Sequence, residues 1–264
     1  MSLITARGCP YTCTWCSRSV FGETHRRRSP ANVADEVEEI VHHYRPDMLW
    51  YADDVFTINH GWLFAYAAEL QRRGLRLPFE CISRADRLTG PVIRTLADMG
   101  CRRLWIGSES GSQRILDAMA RRVRVEQVKT MTAALKAHGI ATGMFIMLGY
   151  DGEELADLED TVEHLKQSDP DVFVTTVAYP IKGTPYYERV EPRISAPREW
   201  SARTDRDLVI AGRKSARFYA FATRWMNGEV AVHRQLRSAR RSYVRMARGL
   251  LNTHLGRLGM RLTG

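Results

Sequence analysis

Between the N-terminus and Pro185, short β-rich runs alternate with amphipathic helical stretches six times, which restricts the chain to architectures built from consecutive parallel βα units. The predicted strands are Leu3–Arg7, Met48–Ala52, Phe79–Ser83, Arg103–Ile106, Ile140–Leu148 and Val172–Tyr179. Apolar spacing between them predicts helices over Ala31–Tyr44, Trp62–Arg73, Pro91–Met99, Ser112–Met119 followed by Glu126–His138, and Glu153–Gln167. Some boundaries have a mechanism. Ser29 offers a capping hydroxyl ahead of Pro30, and Gly74 and Gly139 can supply left-handed C-terminal caps. Six such units suit a partial barrel or a doubly wound sheet, and in both, ligands gather at the C-terminal ends of the strands. The polar residues sit there: a cysteine loop after the first strand, Asp53-Asp54 after the second, Ser83-Arg84 after the third, and Ser108-Glu109-Ser110-Gly111 after the fourth.

After Pro185 the pattern changes. Pro192, Pro197 and scattered charges make a connecting segment, and Arg213 to Leu262 reads as helix, with Val232, Leu236, Tyr243, Ala247 and Leu250 at helical spacing. The expected division is a core over 1–185 and a basic, mainly helical extension over 186–264. The net charge of +9 belongs to that extension, which carries 17 basic against 6 acidic side chains, whereas the residues before it carry 22 against 24. The excess charge therefore reports on the partner of the tail and not on the chemistry. Nucleic acid is not the expected partner, because Tyr219, Trp225 and Tyr243 are too sparse to stack bases among the arginines. Two readings remain: a helical cap packed across the open side of a partial barrel, or an interfacial helix on an anionic membrane surface. The second rests on the arginines that flank Leu250, Leu251, Leu255 and Leu258.

Five cysteines is an odd count, three of them lie at Cys9, Cys13 and Cys16, and no apolar signal segment precedes them, so the expectation is a reducing cytoplasm with or without peripheral membrane attachment. Cys81 and Cys101 read as small buried apolar residues. A [4Fe–4S] cluster normally takes four cysteine ligands, so a compact loop that supplies three leaves one iron open to a substrate or cofactor. The alternative is a structural zinc site completed by His25, which lacks the usual second pair of closely spaced ligands.

The segment Arg7-Gly8-Cys9-Pro10-Tyr11-Thr12-Cys13-Thr14-Trp15-Cys16 resembles the signature of the radical S-adenosylmethionine (SAM) superfamily, three cysteines separated by three and two residues. The strings Arg28-Ser29-Pro30, Asp53-Asp54-Val55-Phe56-Thr57, Arg84-Ala85-Asp86, Gly107-Ser108-Glu109-Ser110-Gly111-Ser112 and Gly183-Thr184-Pro185-Tyr186 resemble the branch related to cobalamin-dependent members, which includes anaerobic porphyrin cyclases and methyltransferases. The resemblance implies an α/β fold, a partial (β/α)6 TIM-type barrel, in which Cys9, Cys13 and Cys16 hold a [4Fe–4S] cluster. It implies that the open iron chelates the methionine end of SAM, and that an electron from the cluster cleaves the sulfonium to methionine and a 5′-deoxyadenosyl radical.

By the same resemblance, Trp15, Asp53, Asp54, Arg84, Glu109 and Arg121 fall at cofactor-binding positions. Asp53 or Asp54 would accept from the methionine amine and Glu109 from the ribose hydroxyls, while Arg121, with Arg122 as its neighbour, would meet the carboxylate. Arg84 would pair with a carboxylate of the cofactor or substrate, or with Asp86. Strand five, Gly143 to Gly149, fits the strand against which adenine packs, and the Tyr150-Asp151-Gly152-Glu153 turn after it departs from the branch, which has a proline before that glycine. The branch carries a cobalamin domain ahead of the barrel, with an Asp-x-His-x-x-Gly motif. Only eight residues precede Cys9 and the motif is absent, so the expectation is that cobalamin comes from a separate chain, that the chain is a truncated copy, or that cobalamin is not used. The expected partners are a small-molecule or lipid-soluble substrate and an electron donor such as flavodoxin or ferredoxin. A non-catalytic iron–sulfur relay is the competing reading, against which the cofactor residues argue, since a relay needs no SAM pocket.

Overall fold

A computed structural model describes residues 1–17, 22, 24–196, 199–202 and 204–264, so Pro197 of the connecting segment lies outside the described residues. Six strands form one sheet: β1 Ser2–Leu3, β2 Leu49–Tyr51, β3 Phe79–Ser83, β4 Cys101–Glu109, β5 Ala141–Leu148 and β6 Val172–Val177. Every neighbouring pair is parallel, and the order across the sheet is the order along the chain. A doubly wound sheet reverses strand order at a switch point. This sheet has no reversal, which makes the ring a partial barrel, left open between β1 and β6.

The helices follow the strands: α1 Pro30–Tyr44, α2 His60–Arg72, α3 Gly90–Met99, the short α4 Gln113–Ala118 with α5 Val125–Ala137, and α6 Leu155–Ser168. The caps behave as expected. The Ser29 hydroxyl accepts from the Asn32 N–H ahead of Pro30, and Gly74 and Gly139 take positive φ just past α2 and α5. Strand and helix faces close on a core that includes Leu49, Tyr51, Leu63, Phe79, Leu96, Leu104, Ile106, Met144 and Leu165, all buried. In it Tyr51 stacks on Phe56 and shares a hydroxyl hydrogen bond with Tyr66 at 2.7 Å.

Two differences from the sequence reading matter. The expected first strand divides: β1 joins the sheet, and Ala6–Arg7 turns aside to pair antiparallel with Arg26–Arg27, which lifts the cysteine loop above the strand ends. The C-terminal helix also divides. After the short α7, Pro185–Val190, come α8 Ala216–Arg237 and α9 Tyr243–Thr263, capped by the hydroxyls of Ser215 and Ser242. Helix α8 lies against α6 and β6, where Phe218, Ala222, Trp225 and Met226 enter the main core, Thr175 and Thr223 share a hydrogen bond at 3.0 Å, and Lys166 meets Glu229 at 2.7 Å. Of the apolar residues at helical spacing, Tyr243, Ala247 and Leu250 are exposed. The buried face of α9 is made by Gly249, Gly256, Gly259 and Met260, because glycine lets α9 approach α8 closely: a Cβ on Gly256 would lie 2.6 Å from Trp225.

Candidate active site

The cysteine loop, which follows Ala6–Arg7, is fixed from below and from the side. Asp53, at the end of β2, accepts from the Thr5 N–H at 2.7 Å, the Thr5 hydroxyl at 2.5 Å, the Ala6 N–H at 3.1 Å and Arg27 Nη2 at 2.9 Å. Arg27 in turn lies 4.2 Å above the Trp62 ring. Farther along, the Thr14 N–H donates to the Met119 carbonyl, its hydroxyl shares a 2.6 Å hydrogen bond with Tyr150, and its carbonyl accepts from the Tyr186 N–H. Trp15 packs with Ile115, Met119, Tyr150 and Tyr186 in a second apolar cluster.

Cys13 is buried, Cys9 half-buried and Cys16 exposed, and the three thiols lie close enough to interact electrostatically. Burial pushes the Cys9 thiol up, with a smaller push from Asp54 and Cys13. Binding of metal at these sulfurs would therefore release protons. Among the described residues, no three His, Cys, Asp or Glu side chains are placed to hold one metal ion. His25, the fourth ligand in the zinc reading, sits by Arg27, Asp53 and Asp54.

Glu109 closes β4 at a bulge where the register with β5 slips between Gly107 and Glu109. Its φ of 64° lies in the left-handed region, a conformation that a glutamate holds only when its surroundings fix it. They do so from α6. The Ser108 hydroxyl meets His164 Nε2 at 2.9 Å, the Gly111 N–H donates to the Thr161 hydroxyl at 2.9 Å, and the Ser112 hydroxyl donates to Asp157 at 2.7 Å. Burial holds His164 down at about 4, so it is neutral near pH 7. A Cβ on Gly107 would lie 2.7 Å from both Arg121 Nη2 and Glu109 Oε1, so a larger residue there would displace the ends of these two side chains. Burial also raises the Glu109 carboxyl, against the pull of Arg121 and Arg84.

Arg121 points inward and Arg122 is exposed, which resolves the choice between neighbours. Arg121 donates to the Gly107 carbonyl at 2.7 Å and to Cys13 Sγ at 3.9 Å. Its Nε lies 3.9 Å from Glu109 and is buried without a hydrogen-bond partner. Arg84, also buried, spends its donors within the protein: on Asp86 at 2.8 and 3.2 Å, on the Arg121 carbonyl at 2.8 Å and on Cys13 Sγ at 3.7 Å, with its guanidinium 3.7 Å above the Tyr11 ring. Of the aspartate pair, Asp53 is buried with four donors on it, whereas Asp54 is exposed and faces the cysteine loop, near Cys9 and Cys16.

Beyond β5, Gly149 and Gly152 both take positive φ, so the turn forms without the proline of the branch. Tyr150 stacks on Tyr186 at 4.8 Å, and Glu153 accepts from the Gly149 N–H at 2.5 Å, its carboxyl pushed up to about 8 by burial. Sequence reasoning missed Thr14, Tyr150 and His164. Thr14 was legible within the cysteine motif, but nothing in the spacing of α6 marks His164 as the partner of Ser108.

The rim thus joins a partial parallel barrel, three thiols above its first strand, two arginines donating toward the buried thiol and an acid locked at the end of its fourth strand. Residues 3–165 match the Radical SAM superfamily, and the chain belongs to it. That superfamily uses a [4Fe–4S] cluster and SAM. The site suits the pair: three clustered thiols beside two arginines for the cluster, and a buried unpartnered Arg121 Nε beside an acid for a ligand bearing both charges.

An uncharacterised methyltransferase of Pyrococcus horikoshii is 29% identical over 211 residues, 79% of this chain and 46% of its own length. The anaerobic magnesium-protoporphyrin IX monomethyl ester cyclase of Rubrivivax gelatinosus is 30% identical over 173 residues, 63% of this chain and 30% of its own length. The chain thus spans less than half of either relative. In fold it is similar to the cobalamin-dependent SAM radical enzyme OxsB, with a TM-score of 0.70 at 16% identity, over 99% of this chain and 46% of that one.

Proposed function

We propose that this chain cleaves SAM reductively and uses the resulting radical to begin methylation, cyclisation or another hydrogen-abstraction reaction on a small molecule. The observation that carries the reading is the meeting of Cys13, Arg121 and Glu109 at one point of the rim, contributed by the loop after β1, the turn after α4 and the end of β4. Cys9, Cys13 and Cys16 would hold the cluster, which when bound supplies the electron for sulfonium cleavage. Arg121 would present its free Nε to the SAM carboxylate, Glu109 would accept from the ribose hydroxyls, and Asp54 would accept from the amine. Arg84 and Asp53 act one step back: Arg84 positions Arg121 and Cys13, and Asp53 fixes the strand that leads into the cysteine loop. Trp15 and Tyr150 wall one side of the loop with apolar surface. An electron donor of the flavodoxin or ferredoxin kind completes the system, and the catalytic unit includes α8, which shares the core of the barrel.

Anaerobic incubation of the reconstituted, dithionite-reduced chain with SAM tests this. It should yield methionine and 5′-deoxyadenosine, and Glu109→Gln or Arg121→Ala should raise the SAM KM roughly tenfold or more, the loss of one charge-assisted hydrogen bond, with iron content unchanged. Parent-like KM in both variants would remove SAM from this pocket, and an intact cluster with no SAM cleavage would leave the relay reading.

A further inference from the structure

Helix α9 turns its glycines inward and its leucines outward. Val244, Leu251, Leu255, Leu258 and Leu262 fall within about a sixth of the helix circumference, opposite the Gly249–Gly256 face that meets α8. Val244 and Leu262 are 76% exposed, Leu251 56% and Leu258 54%. Large side chains left in water along five turns of a well-formed helix mark an interaction surface.

Charge identifies the partner. From Val230 to Gly264 there is no acidic residue and there are eight arginines. Arg234 pairs with Asp169 and Arg257 with Glu229, and among the described residues no ion pair holds the other six. Arg248 borders the leucine stripe on one side and Arg261 on the other, with Arg241 and Arg245 at its start. A second copy is a poor fit, because pairing this face with itself would bring arginine rows together with no carboxylate between them. No described helix is long and apolar enough to cross a membrane. A straight apolar stripe with cations along its borders fits a helix lying in the plane of an anionic bilayer, leucines among the acyl chains and guanidiniums at the phosphates.

We propose that the outward face of α9 is a docking surface for anionic phospholipid membranes. The attachment is peripheral and salt-sensitive, and it needs neither the cluster nor SAM, so it stands or falls apart from the chemistry proposed above.

Co-sedimentation of the full chain with vesicles decides it. Vesicles of phosphatidylcholine and phosphatidylglycerol in equal parts should bind the chain, phosphatidylcholine alone should bind far less, and binding should fall as salt rises. Leu251→Glu with Leu258→Glu should weaken binding by about tenfold or more. Arg245→Gln with Arg248→Gln should weaken it by about fivefold per charge and flatten the salt dependence. These side chains are exposed, so circular dichroism melting should match the parent. Equal binding to both vesicle types, or full binding by the melting-competent leucine variant, would overturn the proposal. So would a chain that ignores vesicles yet forms a dimer that the leucine variant breaks, which would assign the face to a second copy.

Discussion

At the C-terminal ends of β2 to β4 most polar side chains are tied to another element, whereas the outer face of α9 is tied to nothing among the described residues. Asp53 collects four donors from two segments, Thr5–Ala6 and Arg27, and the Glu109 turn is held by four side-chain bonds from α6. Helix α9 is held mainly by shape, through glycines against Trp225, Phe221 and Val232, with Arg224 to Asn252 at 3.0 Å as one of few polar ties. The rim needs fixed directions, since a carboxylate and a guanidinium act on a ligand only at defined positions. The hairpin needs only close approach, and its other face is free for something else.

The aspartate pair should break this contrast most sharply if it is wrong. Asp53→Ala removes a buried partner of Arg27 and of two N–H groups, and the expected cost is roughly 3–5 kcal/mol in urea denaturation. Asp54→Ala should leave the denaturation midpoint where it is and raise the SAM KM. Equal stability loss in both would mean that Asp54 belongs to the scaffold, and a parent-like KM in a folded Asp54 variant would take it out of the pocket.

Next in size is the hairpin. Gly256→Val puts a branched side chain where even a Cβ would lie 2.6 Å from Trp225, so α9 must move off α8, at a cost of about 1–3 kcal/mol. Because no described side chain of α9 bonds the cysteine loop or the ends of β2 to β4, iron content and SAM cleavage of the folded variant should match the parent. Lost cleavage in a folded variant would show that the two regions are coupled, contrary to this account.

Much of the rim was legible in the sequence because its chemistry depends on residue identity and order along the chain. Three cysteines after strand one, two aspartates after strand two and the Gly-Ser-Glu-Ser-Gly run after strand four fall where parallel βα units place them. What could not be read is which of two neighbours faces in. Asp53 against Asp54 and Arg121 against Arg122 depend on the local twist of the chain beyond a strand or helix, as at Arg122, which takes a φ of 53°. In the tail, periodicity left the packed face open for a different reason. Periodicity assigns apolar residues to the packed face, and here glycines take that face. Ser238 to Ser242 held the clue to the broken helix, because Ser242 is an N-cap residue directly before Tyr243.

The central claim is that the three cysteines hold a cluster with one iron open to SAM, and electron paramagnetic resonance of the anaerobically reconstituted, reduced chain tests it most directly. The account predicts about four irons per chain, a reduced-cluster signal whose shape changes when SAM is added, and loss of both iron and signal in Cys13→Ala. Stoichiometric zinc in place of iron, or a cluster signal that SAM leaves unmoved, would contradict it.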